Sequence, residues 1–135
     1  MFSHVMLGVN DLEASKKFYD AVLGTLGIAP GAANKNRYFY RSPTGTFAIS
    51  TPINGDPACH GNGSMLGFIA QTTELAEAFH AAGLANGGTS CEEPPGLRDG
   101  PYSKLYLAYL AYLAYLAYLR DPDGNKICAL HRPPK

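Results

Sequence analysis

Between Leu12 and Leu26 the positions Leu12, Ser15, Phe18, Tyr19, Val22, Leu23 and Leu26 recur at helical spacing and make one largely apolar stripe. Asp11 is placed to cap that helix, Glu13 adds negative charge to its first turn, and Gly24 and Gly27 mark its end. A short apolar run, HVMLGV at 4–9, precedes it. Beyond the loop PGAANKN, RYFYR (37–41) and TFAIST (46–51) read as strands joined by a Ser-Pro-Thr-Gly turn.

The same order returns about sixty residues further on. MLGFIAQ (65–71) is a second apolar run, and Thr72 or Thr73 caps a helix carrying Leu75, Ala76, Phe79, Ala82 and Leu84. Gly87-Gly88 stops it, and a Pro/Gly-rich loop, EEPPGLRDGP, leads to a last stretch ending in DPDG and the strand KICAL (126–130). The pattern therefore predicts one domain of two structurally duplicated modules, the first over about 1–55 and the second over about 64–135.

One segment breaks the pattern. From Leu105 to Leu119 the chain reads LYLAYLAYLAYLAYL, with no charge, Gly or Pro. As one straight strand it would span roughly 50 Å, beyond a compact domain of this length, whose diameter is under about 40 Å. A slip of three residues restores the sequence while exchanging the two faces of a strand. As a helix it would spread tyrosines around most of the circumference. Either form leaves apolar surface that a second chain is expected to cover, by pairing or by exchange of an element. Both forms stay open, and the repeat reads as structural rather than catalytic.

Composition narrows the classes of function. Eleven basic and eleven acidic residues cancel, so no phosphate-tracking basic patch is expected and nucleic acid is excluded as a partner. The opening MFSHVMLGVN has no basic start followed by an apolar core, so no secretory leader is expected, and the repeat is too short for a membrane helix. Cys59, Cys91 and Cys128 are odd in number and lack metal-type spacing, so reduced thiols in a cytoplasmic protein are expected. There is no Gly-x-Ser-x-Gly elbow, no phosphate-cradling loop and no Cys-x-x-Cys. Glu92-Glu93 and the Asp121/Asp123 pair read as structural, Cys59-His60 as a solvated loop, and His80 and His131 as surface groups.

HVMLGVNDLEASKKFYDAVLGTLGI and YLRDPDGNKICAL together resemble the first and last parts of the vicinal oxygen chelate superfamily, the glyoxalase/bleomycin-resistance/extradiol dioxygenase group. The resemblance spans nearly the whole chain. It implies an α+β fold of two βαβββ modules forming a curved mixed sheet around a cavity, usually in a homodimer. It further implies a metal-dependent lyase, isomerase or dioxygenase in which two neighbouring substrate oxygens chelate a divalent ion that acts as a Lewis acid. Position by position, the family's ligands match His4, Met65 and Cys128. Two of the three familiar donors are thus replaced by sulfur, which does not suit a hard cation. A divalent ion, a softer ion such as copper or zinc, and no ion at all remain open. Arg98 is a candidate to grip a substrate carboxylate, and Tyr38, Tyr40 and Phe47 to line an aromatic cavity. The alternatives to a metal enzyme are a metal-free module that sequesters small aromatic compounds, as bleomycin-resistance proteins do, and an inactive assembly altered by the repeat.

Overall fold

The computed structural model describes residues 1–98 and 114–132. In the first module β1 (His4–Gly8), α1 (Leu12–Thr25), β2 (Ala32–Asn34), β3 (Arg37–Ser42) and β4 (Gly45–Ser50) follow in order. The second has β5 (Leu66–Ile69), α2 (Thr73–Ala85), β6 (Thr89–Ser90), β7 (Gly96–Arg98), β8 (Ala114–Arg120) and β9 (Lys126–His131). Each module makes a mixed sheet of the same plan, β1-β4-β3-β2 and β5-β9-β8-β6, with β7 also on β8. The first and last strands of each run parallel, a pairing that needs the intervening helix as a crossover.

Both helices begin where the sequence places their caps. The Asp11 carboxylate accepts the Ala14 N–H at 3.0 Å, and the Thr72 hydroxyl accepts the Leu75 N–H at 3.1 Å. Gly27 and Gly87 take left-handed backbone just beyond the two helices (φ 82° and 98°), where a side chain would be strained. The predicted strands 37–41 and 46–51 appear as β3 and β4, with Ser42 opposite Gly45 across the turn.

The modules share one core. Phe18, Tyr19, Val22 and Leu23 of α1 and Ala76 and Phe79 of α2 meet Phe47 and Ile49 from one sheet and Leu119, Ile127 and Ala129 from the other. The Phe47 ring stands perpendicular to Phe68 of β5 at 5.3 Å between centroids, and Phe68 leads on to Phe79 at 6.1 Å. Because strand side chains alternate, the other face of each sheet turns away from this core. His4, Met6 and Gly8 lie on that outward face beside Thr46, Ala48 and Ser50. Gly67 and Ile69 do so beside Cys128 and Leu130.

Only the end of the Ala-Tyr-Leu repeat falls among the described residues; 105–113 lie outside them. The final two triplets form β8, with Ala117 and Leu119 fully buried and Tyr118 outward, opposite Cys128. Ser90 pairs with Leu119 and Gly96 with Leu116 on the same edge of β8, so residues 91–95 oppose only 117 and 118. The result is a wide bulge, and Glu92 within it holds left-handed backbone at φ 56°.

Candidate functional site

The turn DPDG ties the two modules together. Asp121 is 3% exposed and its carboxylate accepts four hydrogen bonds: the N–H groups of Asp123 and Asn125 at 2.9 Å each, the Asn125 amide at 2.9 Å and the Tyr19 hydroxyl at 2.6 Å. Burial, then the neighbouring Asp121 charge, pushes the Tyr19 phenol well above its ordinary range, so it stays a neutral donor. Asn125 also donates to the Gly8 carbonyl of β1 at 3.0 Å. Asp123 receives the Asn10 backbone N–H at 3.1 Å, the Asn10 amide at 2.9 Å and the Ser15 hydroxyl at 3.3 Å. Asn10 in turn accepts from the Ala58 N–H at 2.7 Å in the loop between modules. The acidic pair is structural, as its turn position implies, and it sets β1 against β9.

The outward face of the second sheet has a low floor. Gly67 has no side chain, and beside it Cys128 is 1% exposed, close enough that a Cβ added at Gly67 would lie 3.3 Å from its sulfur. Burial raises the Cys128 thiol from its ordinary 9.0 to about 11, so at neutral pH it keeps its proton. Around this floor stand Met65, 50% exposed, Ile69, 69% exposed, and Tyr118. Lys126, two residues before Cys128 on the same strand face, holds its ammonium against the Glu92 carboxylate and 5.0 Å from the centre of the Tyr118 ring. Lys126 and Met65 also border a half-open pocket of about 110 Å³ that reaches Val5, Leu7, His60 and Ser64.

The seven candidate residues named from the sequence fall in different places. His4 is exposed on the outward face of the first sheet, its Nδ1 2.7 Å from the Ser3 hydroxyl. Met65 and Cys128 belong to the outward side of the second sheet. Among the described residues no group of three or more His, Cys, Asp or Glu is placed to hold a metal ion. Tyr38 faces inward and donates to Glu13 at 2.6 Å, with Lys16 over its ring at 5.3 Å. Phe47 is core, 4.9 Å from the Tyr19 ring. Tyr40 is also buried, donating to Asp20 at 2.8 Å. Arg98 ends β7, backbone-paired with Ala114.

The divalent ion implied by the resemblance meets a poor donor set here. A thioether and a buried thiol offer no oxygen to a hard cation; sulfur donors of this kind suit only a softer ion. The sequence reading missed the Lys126–Glu92–Tyr118 group. Strand alternation from Cys128 places Lys126 on the same face, but its partner Glu92 arrives through a bulge that no local pattern announces.

Residues 1–129 match the family model of the glyoxalase/bleomycin resistance protein/dioxygenase superfamily. The crystal structure of a glyoxalase/bleomycin resistance protein from Albidiferax ferrireducens T118 is 72% identical, covers 98% of this chain and 99% of its own, and superposes with a TM-score of 0.88. A glyoxalase-related enzyme from Fulvimarina pelagi, 21% identical over 98% of this chain and 88% of its own, has the same fold at a TM-score of 0.70. So does a family enzyme from Burkholderia phytofirmans PsJN, at 16% identity, 97% and 98% coverage and a TM-score of 0.68. No curated protein matches the chain.

Proposed function

Since the chain belongs to the glyoxalase/bleomycin resistance protein/dioxygenase superfamily, we propose that it binds a small organic molecule on the outward face of its second sheet without a hard divalent ion. The observation that supports this reading is the floor at Gly67 and Cys128, where a neutral buried thiol stands at one of the three ligand positions that the resemblance implies. An apolar rim of Met65, Ile69 and Tyr118 suits a flat ligand body better than a hydrated cation. A second copy of the chain completes the site. Ile69 at 69% exposure on one outward face and Met6 at 38% on the other are apolar side chains that a partner would cover.

The competing reading is a metal-dependent lyase, isomerase or dioxygenase built on His4. Calorimetric titration of chelator-treated protein with Mn²⁺, Ni²⁺ and Zn²⁺ separates the two. The binding reading expects no stoichiometric uptake of Mn²⁺ or Ni²⁺, together with saturable binding of flat aromatic compounds. Uptake of one Mn²⁺ per chain, accompanied by turnover of a thiohemiacetal, catechol or epoxide, would reverse the assignment.

A further inference from the structure

Lys126 stands on the rim of the floor at Gly67 and Cys128, with its ammonium directed at Tyr118 and Glu92. Lys126 shares the outward face with Cys128 and borders the pocket of about 110 Å³ beside Met65. The charged and titratable neighbours of Lys126 include Glu92, Cys91, Tyr118 and Cys128. Arg120, on the same strand face, spends its guanidinium on the Gly124 carbonyl at 2.7 Å. Glu92 reaches Lys126 only from a bulge in left-handed backbone, and its side chain is 45% exposed, so the carboxylate can swing into water at small cost.

We propose that Lys126 is an anion anchor: the ligand is a flat apolar compound bearing one carboxylate, which replaces Glu92 on the ammonium while the body lies over Gly67 and Cys128 against Tyr118. The family places a metal's positive charge in this region; here the strand supplies a fixed ammonium two residues away from the substituted ligand position. Glu92 acts as an internal competitor that keeps Lys126 neutralised until a ligand carboxylate arrives. This inference rests on the binding reading above and adds the charge of the ligand to it.

Naphthoate and its neutral isostere naphthamide test it, titrated into metal-free protein by calorimetry. Naphthoate is expected to bind at least about ten-fold more tightly, as a charge-assisted contact requires. Lys126→Met should abolish that preference, weakening naphthoate more than naphthamide, and Glu92→Gln should tighten naphthoate several-fold. Should Lys126→Met fail to fold, salt decides on the wild-type chain: the preference must shrink steeply as ionic strength rises. Equal affinity for the two compounds, or a preference that survives Lys126→Met or high salt, overturns the anchor and leaves the binding reading intact. Saturable binding of neither compound overturns both.

Discussion

At the scale of single residues, the side chains that matter most are polar groups made safe by burial and by full partnership. Tyr19 is fully buried beside the Asp121 carboxylate, which also takes three nitrogen donors. Tyr19→Phe removes one of four donors from a buried charge and is expected to cost about 1–3 kcal/mol in urea unfolding; a change near zero would show that the phenol is not a structural donor. Cys128 makes a second expectation. Its folded thiol titrates near 11 against an ordinary 9.0, so the folded chain holds the proton more tightly than the unfolded one. Stability from this group is complete below about 9 and falls as pH rises from about 9 through about 11. Cys128→Ala should remove that portion of the alkaline decline. In native protein an aromatic disulfide reagent should label exposed Cys59 first and reach Cys128 only on unfolding.

At the scale of elements, β8 shows how a degenerate sequence obtains one register. Within the repeat a three-residue slip is locally neutral. What distinguishes the observed register is the surroundings: Leu119 packs against Gly83 of α2, and Ala117 is fully buried opposite Ala129. Any Cβ at Gly83 would collide with the Leu119 side chain. Gly83→Val is therefore expected to destabilise the fold by about 1–3 kcal/mol through overpacking, and a stable variant with an unchanged β8 amide spectrum would contradict this. The helices, the β3–β4 hairpin and β9 were legible from caps, periodicity and turn residues, because those signals are local. The bulge at 91–95, the inward aim of Tyr38 and Phe47, and the pairing of Glu92 with Lys126 were not. Each depends on which neighbour a strand finds, and a strand with aromatic residues on both faces does not say which face is core. The choice between strand and helix is settled for the last two triplets of the repeat, as strand; 105–113 fall outside the described residues.

At the scale of the whole molecule, two modules stand back to back across a shared aromatic core, bound by the DPDG turn to β1 and α1. The outward faces then expose apolar side chains on both sheets, and a second chain is expected to cover them. Sedimentation velocity should find a dimer that Ile69→Asp, or Met6→Asp, shifts toward monomer, whereas a monomeric wild-type chain at micromolar concentration would contradict the pairing. On the reading proposed above, the outward face of the second sheet takes an organic ligand without a hard metal ion. Amide and methyl chemical-shift mapping of chelator-treated protein with naphthoate tests it most directly. Saturable shifts are expected on Met65, Gly67, Tyr118, Lys126 and Cys128, unchanged by further chelator. Shifts that arise only after Mn²⁺ is added, or that gather away from these residues, would contradict it.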